Sequence, residues 1–429
     1  VNHQPYFPHH GNEGYRVRHY DLDLDYRPNS HRLTGRASVI AVAEQALPSI
    51  VLDFGRFRVD RVLVDGKRPA KWSHANGKLR LRPARPLAPG AEFTVEVRYA
   101  GPPHPVRSAF GEIGWDQLTD GAIVASQPTG APSWFPCDDR PGSKATYRIA
   151  VTAPSEYTVF ANGRLRSVKE HGGSATWVHH QSAPMPSYLA TVQIGRYEIL
   201  ELPGPVHQPA GVPAALESLF RHDFARQPEM LRVFQELFGP YPFEEYAVVV
   251  ADDELDVPIE AQGLSVFGRN HLDGRRGHER LVAHELAHQW FGNSLTLADW
   301  RDIWLHEGFA CYAEWLWFEF ADGVPASVPA QRFMRKLAGL PQDLVIGDPG
   351  PARMFDDQVY DRGALTLHTL RRHIGDPAFF KLLKEWTATH RHGSVRTADF
   401  IALAQRHCAH PLDGLFRKWL FEPALPPAV

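Results

Sequence analysis

The segment Leu281-Val-Ala-His284-Glu285-Leu-Ala-His288-Gln-Trp290 sets two imidazoles four residues apart around a carboxylate. On a helix, residues at that spacing lie on one face, one turn above each other. His284 and His288 can then both aim a ring nitrogen at one metal ion. Glu285 is turned about 100° from His284. It falls outside the ligand set, yet it can reach a water on the ion and take its proton. In a chain with 23 histidines such a pair can arise by chance, so a third ligand matters. Glu307 supplies one, in the helix-like segment Trp300-Arg-Asp-Ile-Trp-Leu-His-Glu307-Gly-Phe309-Ala. Eighteen residues separate it from His288, which is room for a helix end, a loop and an antiparallel return. Two imidazoles and one carboxylate leave Zn²⁺ a fourth, open position, which hydrolysis requires. The bland alternative is a helix carrying two histidines and no metal.

The elements that must position these groups follow from length and periodicity. A chain of 429 residues suits two or three domains. Tyr20, Leu22, Leu24 and Tyr26 alternate with aspartates, and Phe93, Val95, Val97 and Tyr99 with polar residues, the period of half-buried strands. Asp65-Gly66, Asn76-Gly77 and Asn162-Gly163 read as hairpin turns. Residues 1–16 read as an extended arm, residues 17–203 as all-β, and Pro423 to Val429 as a loose tail. The texture changes at Pro203-Gly204-Pro205. A helical period spans 213–238, a short strand has Ala247 to Val250 as its core, and the chain beyond 276 is mainly helical. The expected fold is multidomain α and β. An N-terminal antiparallel β-sandwich or saddle covers 1–203, and a mainly helical catalytic domain with a small sheet covers 204–429.

Composition excludes other classes. Net charge is −3 and 43% of residues are hydrophobic, so nothing points to nucleic acid or an anionic membrane as partner. No apolar run is long enough to cross a bilayer. Cys137, Cys311 and Cys408 are scattered and read as buried free thiols, which fits a reducing compartment. The start at Val1 shows no signal-like pattern. A cytoplasmic location is thus slightly favoured over secretion after signal removal.

Beyond this, His284-Glu-Leu-Ala-His-Gln-Trp-Phe-Gly-Asn293, followed by Trp304-Leu-His-Glu-Gly-Phe-Ala310, resembles the M1 family of zinc aminopeptidases, the gluzincins. Trp134-Phe-Pro-Cys-Asp-Asp-Arg-Pro-Gly-Ser-Lys-Ala-Thr-Tyr147 looks like that family's phenylalanine-proline-cysteine stretch. Pro184-Met-Pro-Ser-Tyr-Leu-Ala190 looks like the end of its β domain. The resemblance implies a thermolysin-like catalytic domain, one zinc ion, and peptides with a free N-terminus as substrates. It implies that Glu260, in Val257-Pro-Ile-Glu260-Ala261-Gln-Gly263-Leu, binds the substrate α-amine, although the Gly-Ala-Met-Glu-Asn motif around it has drifted. Gln127 matches a glutamine of the same amine site, while Thr129 stands where some members carry an acidic residue. Tyr360, in Val359-Tyr360-Asp-Arg-Gly363-Ala, resembles the catalytic tyrosine just before a helix. Many members carry a large C-terminal helical domain. This chain reads as a short, bacterial-type member without it, with a less enclosed site.

Other residues have plainer readings. His306 beside Glu307 points away from the metal on a helix. Asp302 is a candidate to orient a ligand imidazole. Asp252, Asp253, Glu254 and Asp256 read as a solvated loop rather than a second metal site. Trp300, Trp304, Trp315 and Trp317 read as core around the site. Two further readings stay open: an endopeptidase or dipeptide-releasing enzyme on the same scaffold, and a non-catalytic binding protein of the same fold. Side-chain preference at the first substrate position and oligomeric state are not legible.

Overall fold

The structure is a computed structural model that describes residues 5–427. Residues 1–4 of the expected arm and 428–429 of the expected tail lie outside the described residues. The backbone forms two compact units. One comprises the chain up to Glu217 with Phe243–Asn270; the other comprises Ser218–Pro242 and the chain from His271 onward.

The first unit is built of sheets. Its largest has seven strands, in the order Arg164–His171, Ser174–Pro186, Lys144–Pro154, Tyr15–Arg27, Arg32–Ala43, Glu92–Gly101, Arg58–Val64. Tyr20, Leu22, Leu24 and Tyr26 are buried, as are Phe93, Val95, Val97 and Tyr99, so the alternating residues line one apolar face. Most neighbours run antiparallel, but Tyr15–Arg27 runs parallel to Lys144–Pro154, with Leu22 opposite Ile149. Asp65-Gly66 and Asn76-Gly77 turn tightly with positive φ at both residues. Asn162-Gly163 does not form the expected hairpin: it joins Thr158–Ala161 and Arg164–His171, which belong to different sheets. Buried Asn162 explains the switch, donating to Leu189 O and Gln262 O and accepting from Thr191 N. The strand expected at 247–250 is Ala247–Ala251, central in a five-stranded sheet that groups with this unit.

The Trp134 to Tyr147 stretch is a structural hub of this unit. Trp134, Phe135 and Cys137 are fully buried. Asp138 pairs with Arg140 at 2.6 Å, and Asp53 pairs with Lys78. These buried carboxylates are thus matched by cations and by backbone N–H groups, including Asn12 N on Asp138 at 2.9 Å.

The second unit is helical: α1 (Glu217–Asp223, whose first residue belongs to the other unit), α2 (Gln227–Phe238), α3 (Glu279–His288), α4 (Trp304–Asp322), α5 (Ser327–Ala338), α6 (Asp357–Ile374), α7 (Asp376–Thr389), α8 (Thr397–Arg406) and α9 (Asp413–Phe416). The single helical period expected over 213–238 is broken into α1 and α2. Pro228 in the first turn of α2 lacks an N–H and clashes with a continued upstream helix. No described helix is long and apolar enough to cross a membrane. Cys137 and Cys311 are buried free thiols, whereas Cys408 is only half-buried.

Candidate active site

Helix α3 carries Arg280, His284 and His288 on one face, each a turn apart, and Glu307 closes the first turn of α4. The two helices pack so that the His284 Nε2 and His288 Nε2 atoms lie 3.5 and 3.3 Å from one Glu307 oxygen, Oε2. All three side chains are buried. Among the described residues they are the group of His, Cys, Asp and Glu donors close enough to share an ion, with ligand atoms within 4.8 Å of one another. Three donors about 2.0–2.1 Å from a tetrahedral zinc stand about 3.3 Å from each other. The observed separations match that edge, whereas a direct N–H···O bond is usually shorter, about 2.7–3.2 Å. The donor set therefore fits a zinc ion.

The other ring nitrogens are held in place. His284 Nδ1 meets Glu314 Oε1 at 2.7 Å, and His288 Nδ1 meets Phe291 O at 3.0 Å. With Nδ1–H donating to these acceptors, each Nε2 keeps its lone pair for a metal. Glu314 also takes Arg280 Nη1 at 3.0 and 3.1 Å on its two oxygens. Burial disfavours an imidazolium at His284, yet the facing carboxylates Glu307 and Glu314 reverse this and raise its pKa well above the ordinary value. Burial likewise opposes ionisation of Glu307, but His288 and His284 hold its carboxyl far below the ordinary range. Both shifts describe a pocket arranged for positive charge.

Backbone shape serves this packing at two glycine positions. Gly292 has φ +132°, and a Cβ there would stand 3.2 Å from His288 Nδ1, so the turn that delivers Phe291 O to His288 needs glycine. Gly308 on α4 meets Gly363 on α6: a Cβ on Gly308 would come within 2.8 Å of the Gly363 Cα. The helices thus touch backbone to backbone beside Glu307. Tyr360 lies one turn before Gly363. Its ring runs nearly parallel to that of His284, at 19° and a centroid distance of 6.0 Å. The helix starts earlier than expected: Asp356 caps it by accepting from Gln358 N at 3.0 Å. Tyr360 is therefore in the first turn of α6 rather than just before the helix. Glu285 is buried on α3, one position round from His284.

Gln127 and Glu260 belong to the β unit. Glu260 is central in the short strand Ile259–Ala261, opposite Ser265, and Gln127 follows the strand Ala122–Ala125. Ile123 and Ala261 of these two strands share one apolar cluster. Both polar side chains are half-buried.

The plainer readings of His306 and Asp253 gain a physical reason, and the less favoured role of Asp302 is set aside. His306 Nε2 accepts from Leu297 N at 2.9 Å, which commits that nitrogen to the backbone. Asp253 accepts from Thr119 N and Oγ1 at 2.9 and 2.6 Å, as an ordinary loop tie. Asp302 does not orient an imidazole: its Oδ1 accepts from Thr397 N at 3.1 Å and Thr397 Oγ1 at 2.6 Å, capping α8. The residue that sequence reasoning missed is Glu314. Its signal was its place seven residues after Glu307, two turns along the same helix face. Replacing Glu314 with alanine is expected to weaken zinc binding by about 10- to 100-fold, because His284 loses the acceptor that fixes its tautomer. Competition against a chelator measures this. Wild-type affinity in the variant would show that the pair does not support the site.

Known proteins can now be set beside this geometry. Residues 17–189 match the peptidase M1 N-terminal domain, and residues 223–419 the peptidase family M1 domain. The chain is 24% identical over 440 residues to aminopeptidase M1-D of Oryza sativa subsp. japonica, across 95% of this chain and 50% of that protein. It is 25% identical over 434 residues to endoplasmic reticulum aminopeptidase 1 of Homo sapiens, across 92% of this chain and 46% of that protein. It thus spans about half the length, or less, of the curated relatives it matches. Solved structures of an M1 zinc metallopeptidase from Deinococcus radiodurans match over the whole chain. One has a TM-score of 0.90 and 32% identity, covering 100% of this chain and 99% of that one. A variant of that protein bound to a Tyr-Ser-Ala substrate gives a TM-score of 0.92, 31% identity and the same coverage. Both family domains are matched along the chain, the N-terminal one first. The chain belongs to the M1 family of zinc metallopeptidases.

Proposed function

We propose that this protein is an aminopeptidase that uses one zinc ion to remove N-terminal residues from peptides. The observation that carries the reading is the convergence of His284 Nε2, His288 Nε2 and Glu307 Oε2 beside Glu285 and Tyr360. A zinc ion held by His284, His288 and Glu307 would polarise the scissile carbonyl and acidify the attacking water. Glu285, fixed one step round α3 from His284, takes the proton of that water and returns it to the leaving amine. Tyr360 donates its hydroxyl proton in a hydrogen bond to the oxyanion, an interaction that strengthens as charge develops. Glu314 and Phe291 O keep the two imidazoles in the tautomer the ligand set requires. For Glu260 and Gln127, the support is the family resemblance of their segments, and the role assigned to them is recognition of the substrate α-ammonium.

Hydrolysis of aminoacyl p-nitroanilides, each paired with its N-acetylated form, tests the reading with and without a chelator. Chelator-sensitive cleavage confined to the free amines is the expected result. Glu260→Ala is then expected to lower kcat/KM by about 10- to 100-fold, the worth of a charge-assisted hydrogen bond. Equal cleavage of the acetylated substrates would remove the amine-binding role and favour an endopeptidase.

A further inference from the structure

A single buried side chain ties the last residues of the helical unit to the turn that carries Tyr360. Arg362 stands two residues beyond Tyr360 on α6 and is 3% exposed. Its Nε donates to Trp419 O at 2.8 Å and its Nη1 to Pro423 O at 2.7 Å. Its Nη2 reaches the carbonyls of Lys418, Glu422 and Ala424 at 2.8, 2.5 and 3.1 Å. These oxygens lie in the helical turn Arg417–Phe421 that continues α9 and in the residues after it. The last carbonyls of a helix lack partners and concentrate negative charge, so a buried cation is well placed there. Burial draws the guanidinium down to about 10, which leaves it charged at neutral pH.

The same segment is also tied on the other side of Tyr360. Leu425 N donates to Gln342 Oε1 at 2.7 Å, and Gly347 N donates to Leu420 O at 2.8 Å. A Cβ on Gly347 would come within 2.7 Å of the Phe421 ring, so the two stretches are in close contact. Gln342 and Gly347 lie in the connection from α5 to α6, the stretch that leads into Asp356 and Tyr360.

The contact of Gly308 with Gly363 sets the distance between α4 and α6 near Tyr360, and two turns further along α6 Arg371 holds Glu319 of α4 at 2.9 and 2.7 Å. The double attachment adds a fixed point at the N-terminal end of α6. Tyr360 is half-buried in the first turn of α6, where Gln358 N donates to Asp356 Oδ1 at 3.0 Å and Val359 N to Asp356 O at 2.8 Å.

We propose that residues 418–425 form a brace that sets the orientation of Tyr360, with Arg362 as the positioning residue that locks it. The inference rests on the reading of Tyr360 as the oxyanion donor. Its test is a double-mutant cycle in the full chain, with Arg362→Met, Tyr360→Phe and both together. Arg362→Met is expected to lower kcat by about 10-fold or more per zinc-loaded molecule, with KM and zinc stoichiometry unchanged, since small misplacements cost rate. Arg362→Lys should recover part of the loss. In the Tyr360→Phe background, Arg362→Met should add almost nothing, because residues acting through one another are not additive. Equal fold-losses in both backgrounds, or wild-type kcat in Arg362→Met, would overturn the brace while leaving Tyr360 catalytic. Wild-type kcat in Tyr360→Phe itself would overturn both readings. If Arg362→Met does not fold, Gln342→Ala removes the opposite tie from an exposed side chain, and the same non-additive pattern is expected at about 3-fold; equal losses in both backgrounds would again overturn the brace.

Discussion

Replacing Glu285 with glutamine is expected to lower kcat by about 10³-fold, near 4 kcal/mol of transition-state stabilisation, while zinc stays bound. The amide keeps the shape of the carboxylate and can still hydrogen-bond water. It cannot accept the proton that attack releases. His284, His288, Glu307 and Glu314 are untouched, so the metal affinity has no reason to fall. Glu285 is buried, and exchanging a buried charge for a neutral isostere does not by itself threaten the fold. Single-turnover kinetics with metal analysis of the same sample checks the result. Retention of more than about a tenth of the rate would exclude Glu285 as the general base.

Tyr360→Phe is the second large effect, expected at about 10²-fold in kcat. The phenylalanine ring keeps the near-parallel arrangement with His284 at 6.0 Å, so the site retains its shape and loses only a donor. A hydrogen bond made chiefly to the developing oxyanion leaves KM unchanged. Steady-state kinetics separates the outcomes. A raised KM with normal kcat would assign Tyr360 to ground-state binding instead.

Between sequence and structure, the local patterns carried furthest. The alternation at Tyr20–Tyr26 and Phe93–Tyr99 became buried strand faces because a period of two leaves one side of a pleat apolar. The four-residue spacing of His284 and His288 became a shared helix face because 3.6 residues make a turn. Where expectation and structure parted, the deciding contact was distant in sequence or cooperative. Asn162-Gly163 looked like a hairpin, but Asn162 is bonded to Leu189 and Gln262 in other elements. Asp302 was only a minor candidate to partner an imidazole, and Thr397, 95 residues away, takes its carboxylate.

The sequence by itself determined that a β part precedes a mainly helical part and that the chain carries the family's zinc motif, and it nominated the residues proposed for the chemistry, because those depend on residue type and short-range periodicity. Only the tertiary structure decided which groups serve them. The packing of α3 against α4 chose Glu314 for His284, the turn at Gly292 chose Phe291 O for His288, and the crossing at Gly308 and Gly363 brought Tyr360 beside His284. The brace at Arg362 depends on carbonyls more than 50 residues further along the chain, at separations of 56 to 62. A hydrogen bond is made at about 3 Å, and no pattern along the chain specifies which remote atoms will meet at that distance once the helices have packed.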